Sequence, residues 1–359
     1  MAGPRPSRDP IVGATMTSTS TESASENPKT VAQAERRSER LNWHKVRIAE
    51  ILYWGAAVLV FFLFPHDLAF ATSVLVTAIF VLSLDLILGF AGIISLGHSL
   101  FFGFGAYVTG LATFIGWHEP ITGALLGGVS AAVLAAITGP IVLRLSGMAL
   151  IMVTLALAAL AFEAANKLTW LTGGDDGLFG ITVSPLFGVF PWTIFNYTAY
   201  WYVLGWAFVL FLVARSVIAS PFGVAIQGIR ENSQRMRLIG TPVLNKLIGI
   251  YAISGFIAGV AGALSAQTTK FVGLTVLSVD TSVGALVMLV LGGVGRLYGG
   301  MVGAPVYMIV QHYASEWNPY QWMFIIGALL TGVVMFARGG ILGLSDVVGE
   351  RLKRRWKRP

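Results

Sequence analysis

Ten stretches of this chain are predominantly apolar: 48–64, 68–88, 93–115, 121–143, 148–166, 197–213, 247–267, 282–291, 300–312 and 322–337. Most approach the ~20 residues that carry an α-helix across ~30 Å of hydrocarbon. A helix satisfies its own backbone in lipid, whereas strands must close into a barrel to do so. Barrel strands read as short segments of alternating polarity, and these runs are continuous. The expected fold is therefore an all-α polytopic transmembrane bundle of about ten membrane segments, some short or broken. Composition points the same way. Of the residues, 55% are hydrophobic and 11% charged, against ~25% charged in soluble proteins. That leaves too little polar surface to coat a water-soluble globule.

The positive charges divide the chain by side. Lys and Arg concentrate in residues 1–47, in 215–246 (Arg215, Arg230, Arg235, Arg237 and Lys246) and from Arg338 to the end, with Arg144 in a short turn. Ten spans place all of these on one face, with both termini in the cytoplasm. The opposite loops keep Lys167 and Lys270 but hold Asp67, Glu119, Asp175, Asp176, Asp280 and Glu316. Residues 1–41 read as a disordered cytoplasmic tail, 48–340 as the membrane domain and 341–359 as a basic cytoplasmic tail. Met16 offers a second start site within the first tail.

The segments 282–291 and 300–312 are each too short to cross without neighbours. Fusing them would export the basic tail. They are expected either to span as two short tilted helices or to re-enter, with the turn Gly292–Gly300 enclosed by protein or water. Leu88-Gly89-Phe90-Ala91-Gly92 is echoed by Leu291-Gly292-Gly293-Val294-Gly295, and Gly97 by Gly300. Gly-interrupted segments at matching places point to a transport site. Gly89, Gly92, Gly97, Gly292, Gly293, Gly295 and Gly300 are therefore the candidate broken-helix glycines. The polar residues within or beside the spans, Asp85, Ser95, His98, Glu163 and Asn166, are candidates for the translocation path.

Catalytic chemistry finds little support. The chain has no cysteine, so disulfides, thiolate metal sites and thiol catalysis are excluded. There is no Gly-x-x-x-x-Gly-Lys-[Ser/Thr] loop for ATP phosphates, no His-Glu-x-x-His and no Gly-x-Ser-x-Gly. The histidines at 44, 66, 98, 118 and 312 are scattered. No metal site and no enzyme activity are expected of this chain. The loop 215–246 is the most informative polar piece. Phe222, Val224, Ile226 and Ile229 give it an apolar side, and Arg230, Arg235 and Arg237 a basic one. A helix parallel to the inner face fits this pattern, docked on another protein or held on anionic lipid.

Four ordered segments carry a resemblance. LGFAGIISLGHSLFFGFGAY (88–107), LTGGDDGL (171–178), IRENSQRMRLIG (229–240) with IAGVAGAL (257–264), and MLVLGGVGRLYGGMVGA (288–304) are similar to the LivM-type permeases. These are membrane subunits of ABC importers for branched-chain amino acids, and the resemblance spans roughly residues 68–345. It implies a multi-pass inner-membrane subunit that moves branched-chain or related amino acids. It also implies a second related permease, two ATP-binding subunits that hold ATP and Mg, and a periplasmic solute-binding protein. No cofactor is implied in this chain and no nucleic acid among its partners. ABC importers carry Glu-Ala-Ala-x-x-x-Gly in a cytoplasmic coupling loop. Here Gln234-Arg235-Met236 and Gly240 hold that spacing, with Gln for Glu and Met for the second Ala. By this resemblance Arg230, Glu231, Gln234 and Gly240 become candidates for coupling to the ATPase. A LivM-like permease for urea or short amides shares these motifs, and a self-contained secondary transporter is the alternative of a different class.

The charge asymmetry predicts an outcome that the absence of native Cys makes easy to read. A single Cys placed at Ser345 should resist an impermeant thiol reagent added to intact cells, and should react once the membrane is opened. Labelling from outside would overturn the cytoplasmic C-terminus.

Overall fold

The structure is a computed structural model and describes residues 48–186, 188, 190, 192, 197–336 and 340–343. The tail 1–41 lies outside these residues, as does the tail 341–359 beyond residue 343.

Ten helices follow the apolar segments. They are α1 (Ile48–Leu63), α2 (Leu68–Asp85), α3 (Ser99–Phe114), α4 (Pro120–Val142), α5 (Met148–Lys167) and α6 (Tyr197–Ala219). After two short polar helices, α7 (Pro221–Glu231) and α8 (Ser233–Leu238), come α9 (Val243–Thr269), α10 (Val279–Gly292), α11 (Leu297–Trp317) and α12 (Trp322–Phe336). Five segments are long and apolar enough to cross a membrane alone: Leu68–Phe90, which extends α2, and α4, α5, α6 and α9. Apolar helices in α1, α3 and α12 are shorter, and α10 and α11 meet at a bend of 111°. Among the described residues, β-structure is confined to one isolated bridge, Leu186 with Phe190, and a two-residue pair, β1 (Leu178–Phe179) with β2 (Phe271–Val272).

Local chemistry sets several helix starts. Pro120 opens α4, where its missing N–H costs no hydrogen bond. The Ser220 side chain accepts from Gly223 N–H at the start of α7, Asn232 from Arg235 N–H at α8, and Ser278 from Thr281 N–H at α10. The segment 93–115 differs from its apolar run. Its helix begins only at Ser99, because Gly92–His98 leaves the helical path. The helix α6 continues through Ala219, past the first basic residue of the loop, so the connection is shorter, 220–242.

The centre of the bundle is made by size rather than polarity. The helices α3, α4 and α9 meet where Gly105, Gly127 and Gly259 face one another. A Cβ on Gly259 would fall 2.6 Å from the Gly127 carbonyl oxygen, and one on Gly127 would fall 2.8 Å from that of Gly105. Small residues allow this approach of backbones, which supplies dispersion contact where lipid removes the hydrophobic drive between helices. On α4, Gly127, Ala131 and Ala135 are buried, while Val129, Val133, Ile137 and Ile141 are exposed at 52–69%. The large side chains thus point outward, as suits an apolar solvent. At the periphery, α1 is tied to α11 by Tyr53 Oη–H donating to the Met301 carbonyl at 3.1 Å. It is tied to α6 by Tyr200 Oη–H donating to the Ala57 carbonyl at 2.5 Å.

The glycine contact yields a paired prediction. Gly259→Val should lower the unfolding temperature in detergent, since overpacking a close contact costs about 1–3 kcal/mol. Gly205, in α6, has nothing within 4 Å of a Cβ position. Gly205→Ala should leave stability unchanged or raise it by up to about 1 kcal/mol. Equal thermal stability of the two variants, read by tryptophan fluorescence, would remove the three-helix contact from the account.

Candidate functional site: two helix breaks and the loop that meets them

Two interruptions in the apolar helices adjoin each other in space. The first begins at Asp85, where α2 gives way to a wider π-helical turn over Leu86–Phe90. Ile93 N–H reaches back to the Ile87 carbonyl at 2.9 Å, and Gly92 turns the chain at φ +73°. The second is the bend between α10 and α11, with Gly293 at φ +120° and Gly295 at φ +76°. Gly92 and Gly295, paired by the sequence echo, thus share a left-handed backbone that only glycine adopts freely. A Cβ on Gly89 would fall 2.6 Å from Gly295 N. At this point the breaks meet backbone to backbone.

Backbone groups freed by a break cannot turn to water inside a bundle, and each unmet group costs several kcal/mol. Here distant side chains meet them. Asp85 Oδ1 accepts from Gly295 N–H at 2.7 Å, and Asp85 is fully buried. The Arg230 guanidinium, from the end of α7, donates to the Gly89 carbonyl. The Ser282 hydroxyl oxygen on α10 accepts from Ser99 N–H, the first residue of α3, at 2.8 Å. Ser99 Oγ–H donates to the Leu277 carbonyl at 3.2 Å. Thr154 Oγ1 on α5 accepts from Leu96 N–H at 3.3 Å, and Ser95 Oγ accepts from Gly97 N–H at the same distance.

His98 belongs to this scaffold. It is fully buried, stacks on Phe80 at 5.5 Å between ring centroids, and places Nε2 2.7 Å from Ser83 Oγ. Ser83 gives its single hydroxyl proton to the Phe80 carbonyl at 2.6 Å. Nε2 therefore carries the imidazole proton and donates to Ser83 Oγ. Ser254 Oγ on α9 donates to the Ser83 carbonyl at 2.5 Å. The histidine pins the first break to α2 and α9.

The candidates from sequence therefore separate into three places. Asp85, Ser95, His98 and the glycines 89, 92, 97, 292, 293 and 295 lie at or beside the breaks, whereas Gly300, expected in the turn, sits within α11 where its lack of a side chain lets it pack on Val81 of α2. Glu163 and Asn166 lie elsewhere, at the end of α5. Glu163 is exposed there and 3.6 Å from Lys167, one turn on. Arg230 turns back into the breaks, whereas Glu231, Gln234 and Gly240 lie exposed on the loop. Gly240 has φ +82° and nothing within 4 Å of a Cβ position.

The apolar side of the loop also differs from its sequence reading as a free docking face. Ile226 and Ile229 are buried. Phe222 packs near Gly249 of α9 and carries Lys246 Nζ 5.1 Å above its ring. That side is spent on the chain's own bundle. The large apolar side chains left open on the loop are Val224, Leu238 and Ile239. Sequence reasoning missed Leu238 and Ile239, whose signal was two aliphatic residues beside Arg237 in a charged segment. It also missed Ser83, Thr154, Ser254 and Ser282, since a lone hydroxyl in an apolar run marks nothing by itself. Among the described residues no group of three or more His, Asp or Glu is arranged to hold a metal ion.

Residues 68–334 match the family model described as "Branched-chain amino acid transport system / permease component". The chain belongs to this permease family. Among curated proteins, the permease is 26% identical over 297 residues to the "High-affinity branched-chain amino acid transport system permease protein LivM" of Salmonella typhimurium. The match covers 77% of this chain and 69% of the relative. The protein of the same name from Escherichia coli matches with the same identity and coverage. The "Probable branched-chain amino acid transport permease protein LivM" of Methanocaldococcus jannaschii is 23% identical over 193 residues, covering 50% of this chain and 56% of that one. No solved structure matches. The matched region contains both breaks and the loop between α6 and α9.

The contact between the breaks predicts the effect of a side chain there. Gly295 combines φ +76° with a Cβ position 3.1 Å from the Gly89 carbonyl oxygen and 3.3 Å from the Arg230 guanidinium. Gly295→Val should lower the yield of folded permease several-fold by size-exclusion chromatography. Gly180→Val carries a similar backbone strain, at φ +81°, in open space and should lower it less. Equal yields from the two would place the bend in a loose exposed loop.

Proposed function

We propose that this permease is a membrane subunit of an ABC importer that moves branched-chain amino acids or close relatives across the inner membrane. It pairs with a second related permease and with two ATP-binding subunits, which hold ATP and Mg. A periplasmic solute-binding protein delivers the solute. Both termini and the loop 220–242 face the cytoplasm, in line with the positive charges there. The family match and the printed names of the relatives support the transport class and the solute class.

The observation that carries the partner reading is the exposed end of the loop. Leu238 is 87% exposed and Ile239 69% exposed, next to the open turn at Gly240. Two aliphatic side chains presented among Arg235, Arg237 and Gln234 form a small apolar knob with a polar rim, the arrangement that anchors a protein contact. On this reading the knob seats in an ATP-binding subunit. The chain itself supplies no phosphate-binding loop.

The test uses the reconstituted complex with its cognate binding protein. The purified permease alone should hydrolyse no ATP. Gly240→Trp and Leu238→Asp should each insert and fold normally, yet lower ATP-driven leucine uptake at least ten-fold and weaken retention of the ATP-binding subunits. Arg235→Glu should do less, because an exposed ion pair contributes only ~0–1 kcal/mol. Full uptake by normally assembled Gly240→Trp complexes would make the loop a lipid anchor. Uptake by the permease alone under a proton gradient would make it a secondary transporter.

A further inference from the structure

Arg230 sits on the coupling loop by sequence, yet its guanidinium serves the interior. It lies in the last turn of α7, where a cation suits the helix dipole. Part of the residue is open to solvent. Its stem crosses Gly92, where a Cβ would fall 2.9 Å from Arg230 Cγ. Its Nη1 lies 3.3 Å from the Cβ position of Gly295 and donates to the Gly89 carbonyl. One side chain therefore touches both breaks.

Asp85 closes the arrangement from the other side. It ends α2, lies against Gly89 and accepts from Gly295 N–H at 2.7 Å. The second oxygen, Oδ2, is buried and has no hydrogen-bond partner among the described residues. The side chain is thus held in the core by one amide hydrogen bond, with its other oxygen enclosed. Such a group tolerates little displacement of its partners, because low dielectric strengthens both the attraction and the cost of losing it.

We infer that Arg230 and Asp85 form a latch that transmits movement of the loop 220–242 to both helix breaks, Arg230 holding the first break by its carbonyl and Asp85 the second by its amide. This rests on the importer reading for the source of the movement, though not for the latch itself. Both are positioning residues. A shift of α7 away from the bundle withdraws the donor from Gly89, the stem from Gly92 and the Nη1 atom from beside Gly295 together. The two breaks are then held to each other only by the Asp85–Gly295 hydrogen bond and by glycine backbone contact. The exposed tip at Leu238 and Ile239 receives the push, and Arg230 carries it inward.

Two measurements test this. The first needs neither ATP nor solute: amide hydrogen exchange of the full-length permease in lipid nanodiscs. Arg230→Ala should speed exchange at Gly295 and Ile93 at least ten-fold. Asp85→Ala, which removes the acceptor, should do the same at Gly295. Amides of residues 255–264 in α9 should stay unchanged in both. Unaltered exchange at Gly295 and Ile93 in Arg230→Ala would overturn the latch. If that variant does not fold, Arg230→Met keeps an apolar stem and loses every donor, and an unaltered rate there overturns it equally.

The second measurement is leucine moved per ATP hydrolysed by the reconstituted complex. A merely structural loss lowers uptake and hydrolysis together and leaves this ratio alone. A broken latch should lower the ratio at least five-fold in Arg230→Met and Asp85→Ala. An unchanged ratio would overturn transmission. A wild-type complex that moves no leucine with ATP would overturn the importer reading, while the exchange measurement still decides whether the latch exists.

Discussion

Backbone polar groups inside a membrane bundle must find partners within the protein, and the rest of this structure is arranged around that demand. Regular helices meet it by themselves. The two breaks at Gly89–His98 and Gly293–Arg296 do not, and each is met from outside its own segment. A carboxylate ending α2 holds the amide of Gly295. A serine on α10 holds the first amide of α3, and a threonine on α5 holds that of Leu96. An arginine from the polar connection holds the carbonyl of Gly89. The breaks therefore fix which helices are neighbours. They do so more specifically than apolar contact, which any pair of these helices offers.

Around that polar junction the bundle is assembled by shape. Gly105, Gly127 and Gly259 bring three backbones together, and the bulky faces of α4 turn outward. Where lipid is the solvent, hydrophobicity no longer tells inside from outside, and residue volume takes its place. The aromatic side chains Trp54, Phe208, Phe211 and Tyr298 then fill the wider gaps between α1, α6 and α11, with ring centroids 4.6–5.8 Å apart across the contacts.

Much of this was readable from the chain alone. The apolar runs gave the ten helices because length and composition are local properties. The glycine echo between 88–92 and 291–295 proved to mark equivalent left-handed turns at Gly92 and Gly295. The partners of the breaks were not readable. Arg230 and Gly89 are 141 residues apart, and Asp85 and Gly295 are 210 apart. No periodicity reports which charged residue will turn inward. The loop misled for a related reason: an amphipathic pattern shows that a face will be covered, not by what, and Ile226 and Ile229 are covered by the chain itself. The start of α3 was placed too early because Ile93, Ile94 and Leu96 are as apolar as a helix needs, while the glycines on either side divert the backbone.

The long sequence separation across the junction has a consequence for how the protein is made. Asp85 enters the membrane with the second helix, but the amide it holds belongs to a segment synthesised 210 residues later. At ~5–20 residues per second, the buried carboxylate waits roughly 10–40 s for its partner. During that interval α2 is a helix with an acid at its end, and the Gly89 carbonyl stays open until Arg230 is made 141 residues later. Its contacts are complete only when α10 and α11 arrive. Chains interrupted before residue 295 should therefore be poor substrates for stable integration and good ones for membrane proteolysis. The same junction that steadies the finished bundle thus works as a check on its completeness.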